Sequence, residues 1–100
     1  MGATTFSHFQ PGQNADAAFS DAVAEALYEY GHSGYTGTIA EKPGYQLRNG
    51  GKPMTGAEAQ AFSSKDEEEN ERWGPAFALA IRKDDSAEIV GYLFYGLASE

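Results

Sequence analysis

The C-terminal part of the chain restricts the possible folds most, because it reads as two consecutive strands. Small and large apolar residues alternate over 76–82, so the large side chains point to one side of a strand. A polar turn follows at 83–86. Residues 88–98 are apolar at both alternating positions, which is typical of a central strand covered on both faces. We therefore predict a sheet in which the small residues Ala76, Ala78 and Ala80 pack closely against a helix.

A helix is predicted at residues 14–30. Asn14 is a suitable N-cap, and the apolar residues then recur at helical spacing. The stripe consists of Phe19, Val23, Ala26, Leu27 and Tyr30. Asp21, Glu25 and Tyr28 fall on the opposite side, so we expect them to be exposed.

A second helix is predicted to begin at Thr55, which forms a capping box with Glu58. The same signature recurs at residues 64–67. This repeat predicts a break near Ser63 and Ser64, followed by a short acidic helix to about Arg72.

Two further strands are predicted at 35–41 and 45–48, between the helices. The element order is then αββαββ, and the expected class is α+β. Two helices would pack on one face of a four-stranded antiparallel sheet. We expect residues 1–13 to be a flexible N-terminal segment and residues 14–100 to form a single domain.

Composition excludes several classes of protein. The net charge is −8, from 15 acidic and 7 basic residues, so direct binding to nucleic-acid phosphates is not expected. There is no cysteine, and no run approaches the ~18 apolar residues of a membrane span. The first residues lack the basic and apolar regions of a signal peptide. We expect a cytoplasmic protein, monomeric or homodimeric, without membrane association.

Acidic residues concentrate at 58–71, where six acids accompany Lys65 alone. They are either a solvated helix face or a contact surface for a basic protein, since carboxylates at helical spacing can imitate the charge density of DNA phosphates. The run lacks the glycine turn of a calcium-binding loop. The residues predicted to contact a partner are Asp21, Glu25, Tyr28, Glu29, His32, Tyr35, Asp66, Glu67, Glu68, Glu69 and Glu71.

The glycine-rich loop Gly31–Gly37 supports an alternative prediction, a small-ligand or nucleotide-binding module. His32, Tyr35 and Trp73 would line its site. A phosphate is disfavoured there, because the loop follows the negative C-terminal end of a helix. The two histidines, His8 and His32, have no metal-ligand spacing. No nucleophile, base and acid combination is recognisable, so we expect neither an enzyme nor a bound cofactor or metal.

Three segments look similar to those of a known group of proteins. They are Ala26–Lys42, Trp73–Ala76 and Gly91–Gly96. They resemble small proteins carried by bacteriophages and actinobacterial genomes, over about residues 16–98. The resemblance implies no catalytic residues. It implies a compact accessory protein that either inhibits a host defence or takes over a host protein. We predict a non-enzymatic inhibitor of a host defence factor, such as a CRISPR or other nuclease complex, that binds to a basic surface of this factor in the host cytoplasm.

Overall fold

The computed structural model describes residues 3–30, 44–70 and 74–99, and this part of the chain has an α+β architecture. Short 3₁₀ turns lie at Asn49–Gly51 and Glu67–Glu69. The strands and helices, in chain order, are β1 Ala3–Pro11, α1 Ala15–Tyr30, β2 Tyr45–Leu47, α2 Gly56–Asp66, β3 Ala76–Arg82 and β4 Ile89–Ser99.

The four strands form one mixed sheet in the order β1-β4-β3-β2. β4 is antiparallel to both β1 and β3, whereas β2 and β3 are parallel. The expectation of a wholly antiparallel sheet is therefore wrong. The reason is the connection: α2 separates β2 from β3, and a helical crossover returns the chain to the same end of the sheet, as parallel neighbours require.

The N-terminal residues contradict the predicted element order, because Ala3–Pro11 forms a strand ahead of α1. It pairs with β4 along its whole length, from Ala3 opposite Ser99 to Pro11 opposite Gly91. Few of its side chains are apolar, so hydrophobic patterning gives little sign of it. Backbone hydrogen bonds to the long apolar strand β4 supply the stabilisation that the side chains of Ala3–Pro11 do not.

The two helices lie on opposite faces of the sheet, which also differs from the prediction. Ala18, Ala22 and Ala26 of α1 are buried against one face, and Ala59 of α2 is buried against the other. The two crossovers, β1 to β2 and β2 to β3, run in opposite directions across the sheet. Helices on opposite faces give both crossovers the same hand, as expected from the strong preference for right-handed connections.

The alternation in the central strands sorts the core into two layers, and the predicted packing of small residues against a helix is confirmed for Ala78 and Ala80. Ala78 and Ala80 face α1 together with Tyr92 and Phe94. The residues at the alternate positions of β3 and β4 face α2. They are Phe77, Leu79, Ile81, Leu93 and Tyr95. The stripe of α1 is buried most deeply at its alanines, while Phe19 and Val23 pack at the margin of this layer.

Several local predictions are confirmed. Asn14 Oδ1 accepts a hydrogen bond from the Ala17 N–H at 3.0 Å, so it caps α1. Thr55 and Glu58 form the expected capping box at the start of α2. However, α2 runs without a break through residues 63 and 64 to Asp66, and a 3₁₀ turn replaces the expected acidic helix. The strand predicted at 35–41 lies outside the described residues.

Among the helices that the structure describes, none is long and apolar enough to cross a membrane.

Candidate functional site

The outward side of α1 is the most exposed of the predicted contact surfaces. Because the buried alanines recur every four residues, Asp21, Glu25 and Tyr28 point away from the sheet, as predicted, and all three are exposed. Tyr28 is 91% exposed. We call these three residues the acidic face of α1.

No positive charge offsets this face within its own helix. The helix carries Asp16, Asp21, Glu25 and Glu29 but no lysine or arginine. Its last turn therefore lacks the basic residue that would stabilise the negative end of the helix dipole. Tyr28 lies in that turn. The result is an exposed aromatic ring in a strongly negative environment.

Several of the predicted contact residues are not among the described ones. His32, Tyr35 and Glu71 lie outside the described residues, as does the side chain of Glu29. The whole Gly31–Gly37 loop and Trp73 also lie outside them, so the alternative of a ligand-binding loop stays a prediction.

The second predicted patch begins with Asp66, whose carboxylate is engaged inside the protein. Arg48 Nε and Nη2 donate to Asp66 Oδ2 and Oδ1 at 2.7 and 2.8 Å, a bidentate ion pair. The Tyr95 hydroxyl donates to Asp66 Oδ2 at 2.7 Å. The side chains of Arg48 and Asp66 are only 27% and 13% exposed. Asp66 therefore holds the end of α2 to the sheet and differs from the acids that follow it.

Local structure explains why Arg48 reaches this position. The Arg48 N–H continues the β2 ladder by donating to the Ala78 carbonyl at 2.8 Å. The chain then turns out of the sheet through Asn49, Gly50 and Gly51, all with positive φ, which the two glycines adopt without strain. The guanidinium lies 4.0 Å from the centroid of the Phe77 ring, so a cation–π contact holds it in place.

The charges of this cluster stabilise one another. Hydrogen bonding from Arg48 lowers the pKa of Asp66 below its ordinary value, and Asp66 in turn raises the pKa of Arg48. Burial, reinforced by the hydrogen bond to Asp66, raises the pKa of Tyr95 far above its usual range. The tyrosine hydroxyl therefore remains a proton donor at all ordinary pH values. We call Arg48, Asp66 and Tyr95 the Arg48 clamp.

The remaining described acids of the run lie beyond the clamp. Glu68 and Glu69 are exposed, and Glu67 is half-buried. They follow α2 and so lie on the opposite side of the sheet from α1. The described acids of the two predicted patches therefore do not form one surface.

The α2 side of the sheet carries depressions of different character. A polar cleft of about 290 Å³ lies beside the clamp and is lined by Gln46, Arg48, Glu69, Asn70, Pro75 and Phe77. An apolar groove of about 550 Å³ is lined by Phe9, Gly56, Ala57, Ala59, Gln60, Ile81 and Leu93. The groove presents no titratable group. Within residues 3–30, 44–70 and 74–99, no group of three His, Asp or Glu side chains is placed to hold a metal ion.

The sequence did not predict the polar contacts that tie the elements together. Arg48 and Asp66 are 18 residues apart, and Tyr95 is 29 residues from Asp66. The Tyr45 hydroxyl also donates to Asp16 across 29 residues, and this hydrogen bond raises the pKa of Tyr45 to about 12. Neither helix nor strand periodicity produces such separations, so no local signal indicates these pairs.

No family model, curated protein or solved structure matches this chain.

Proposed function

We propose that this protein is a small, non-enzymatic inhibitor that binds a host defence factor, such as a nuclease complex, through a basic surface on that factor. The acidic face of α1 makes the contact. The observation that carries the proposal is Tyr28, 91% exposed on a helix with four acidic residues and no basic one. The phage-type resemblance of the sequence supports the choice of a defence factor as the partner.

Physical chemistry favours recognition by this face. An exposed tyrosine contributes a large and rigid contact area, and tyrosine is enriched among the residues that dominate binding energy. Asp21 and Glu25 are one helical turn apart and so form a row of negative charge beside it. Charges at the edge of an interface mainly accelerate association and select the sign of the partner. With a net charge of −8, the whole chain attracts a basic surface.

Nucleic-acid mimicry is the mechanism that fits an inhibitor of this kind. A nuclease binds phosphates through clustered lysine and arginine side chains. Carboxylates in a row along α1 present the same sign of charge to that cluster without a cleavable backbone. The inhibitor would then exclude the nucleic acid by occupying its binding surface, in the cytoplasm of the host cell.

The test is retention of host proteins on the immobilised protein, followed by a nuclease assay on each retained complex. The α1 variant carries both Asp21→Asn and Glu25→Gln. Its control carries both Glu68→Gln and Glu69→Gln, which remove the same number of charges from the opposite side of the sheet. The α1 variant is expected to lose the specific complex, and the control to keep it. Tyr28→Ala is expected to weaken affinity about 30-fold, equivalent to about 2 kcal/mol.

Two results would contradict the proposal. One is equal loss of binding in the α1 variant and in its charge-matched control, which would mean that only net charge matters. The other is an affinity that does not change between low and high salt, since contacts between exposed charges are screened by salt.

A further inference from the structure

The outer edge of β1 is open in the part of the chain that the structure describes. β1 is the first strand of the order β1-β4-β3-β2, and it pairs with β4 on one side. No described strand lies on its other side. Natural proteins usually protect such edges with charged residues, bulges or proline, because free backbone groups pair with any available strand.

The backbone groups at this edge can be identified from one hydrogen bond. The Gly12 N–H donates to the Val90 carbonyl at 3.1 Å, and these two residues continue the β1–β4 register one position beyond Pro11. Hydrogen-bonded pairs alternate with non-bonded pairs in an antiparallel ladder. The even-numbered residues of β1 therefore bond to β4, and Thr5, Ser7 and Phe9 direct their N–H and C=O groups outward.

Within the strand itself, the usual protective residues are nearly absent. Ala3–Pro11 contains no charged residue, and its register with β4 shows no shift. The one protective residue is Pro11, at the end of the strand. The backbone groups of Pro11 point away from β4, and because proline has no N–H, the open edge lacks one hydrogen-bond donor there. Residues 5–9 remain a regular and uncharged pairing edge.

The side chains of the outward residues are also uncovered. Thr5, Ser7 and Phe9 are all exposed on the α2 side of the sheet, and Phe9 is 48% exposed. The Phe9 ring nevertheless packs against the sheet. It rests on the main chain of Gly91, where an added Cβ would come within 2.4 Å of the ring. Phe9 is thus a partly exposed apolar side chain packed against the rim of the sheet.

We propose that β1 pairs with β1 of a second copy of this chain, antiparallel, about a two-fold axis at Ser7. The two sheets then become one continuous sheet. Ser7 faces Ser7 of the partner subunit, and Thr5 faces Phe9 of the partner subunit. The three outward residues of each copy exchange about six inter-chain hydrogen bonds. Pro11 falls opposite Ala3 of the partner subunit, where the missing N–H ends the ladder.

A second copy suits this edge better than an unrelated strand for two reasons. First, the outward residues are self-complementary: a β-branched residue and an aromatic residue meet on each side of the axis, a favourable cross-strand combination. Second, two chains of net charge −8 repel each other, and an edge without charged residues is where they meet with least repulsion. Salt should therefore strengthen the dimer.

The pairing has a consequence for the acidic face of α1. A two-fold axis between antiparallel strands is perpendicular to the sheet, so equivalent faces of the two copies lie on the same side. Both α1 helices would then present their acidic faces in one direction. This consequence rests on the proposed function, but the dimer itself does not, and its salt dependence has the opposite sign to that of binding to a basic partner.

The decisive experiment uses charge at the two-fold position. Sedimentation or light scattering should give twice the chain mass of 10.7 kDa for the wild type. Ser7→Lys and Ser7→Glu should each weaken the dimer at least tenfold, because like charges meet at the axis. Mixing these two variants should restore it as a heterodimer. As matched controls, Ser64→Lys and Ser64→Glu place the same charges on an exposed position of α2 and should leave the dimer intact.

Hydrogen exchange tests the register residue by residue. The amides of Thr5, Ser7 and Phe9 should become slower to exchange as protein concentration rises, while those of His8 and Gln10 stay protected throughout. A chain that remains monomeric at all concentrations would overturn the proposal. So would a dimer that survives Ser7→Lys, or a mixture of the two Ser7 variants that stays monomeric. Circular dichroism of each variant confirms that the fold is retained.

Discussion

The two acidic segments of the chain look alike in sequence but have different roles in the structure. On α1, Asp21 and Glu25 are exposed, and within the described residues no hydrogen bond or ion pair joins either carboxylate to the rest of the fold. At the end of α2, Asp66 points inward and binds Arg48 and Tyr95. The difference teaches that the number and sign of charges do not define a contact surface. What matters is each residue's direction relative to the buried side of its helix and whether a basic group lies within reach.

The helices are attached to the sheet by correspondingly different means. The alanines of α1 pack closely on Ala78 and Ala80. Aromatic contacts extend this layer, with ring centroids 5.3 Å apart for Phe19 and Tyr45 and 5.5 Å apart for Phe19 and Phe94. The buried residues of α2 are only Ala59 and Ser63. Its attachment therefore depends more on polar contacts: the capping box at its start and the Arg48 clamp at its end.

The largest expected effect comes from removing the central member of the clamp. Asp66→Ala leaves the partly buried Arg48 without its carboxylate and Tyr95 without its acceptor. We expect a loss of about 3 kcal/mol in the free energy of unfolding, measured with urea. The control is Glu68→Ala, an exposed acid two residues later, which should change stability by less than about 0.5 kcal/mol. An equal loss of stability in both variants would show that the carboxylate of Asp66 supports the fold no more than the exposed carboxylate of Glu68.

Part of the same stabilisation should disappear in acid. The pKa of Asp66 is lower in the folded protein than in the unfolded chain, because the carboxylate is bound by Arg48. The ion pair therefore contributes fully above the unfolded pKa of about 3.9, and its contribution is lost as pH falls through the lower folded value. Urea unfolding at a series of pH values should show a shallower decline for Asp66→Asn than for the wild type. Equal slopes for the two proteins would show that other carboxylates dominate the loss of stability in acid.

The helix caps offer a smaller and matched test. Asn14 accepts one hydrogen bond from the N-terminal turn of α1. Thr55 accepts from the Glu58 N–H at 3.3 Å, while its own N–H donates to Glu58 Oε1 at 3.0 Å. We expect Asn14→Ala and Thr55→Ala each to cost about 1 kcal/mol in thermal or urea unfolding. A negligible cost for Thr55→Ala would show that α2 does not depend on its cap.

The smallest effect is expected on the acidic face of α1. Asp21→Asn together with Glu25→Gln should change the free energy of unfolding by less than about 0.5 kcal/mol, because neither carboxylate contacts a buried group. Stability is measured in the same urea titrations as for the clamp variants. A larger loss would mean that these acids support the fold, and the face would then be a poor candidate for recognition.

Features with a local origin were predictable from the sequence. The bounds of α1, the capping box of α2 and the two central strands depend on periodicity and on residues within four positions of each other. Tyr28 belongs with them, since its exposure follows from its place opposite the buried stripe. By contrast, the strand Ala3–Pro11 was missed because an edge strand needs few apolar side chains once its backbone pairs with a neighbour.

The sequence by itself determined α1, the start of α2 and the two central strands, together with the buried side of α1, because side-chain direction repeats every two residues in a strand and about every 3.6 in a helix. Tertiary structure decided the order of the strands, the parallel pairing of β2 with β3, and the placement of the helices on opposite faces. It also separated Asp66 from the acids that resemble it. Those outcomes depend on contacts between residues far apart in the chain, where chain connectivity, handedness and the pairing of buried charges select the arrangement.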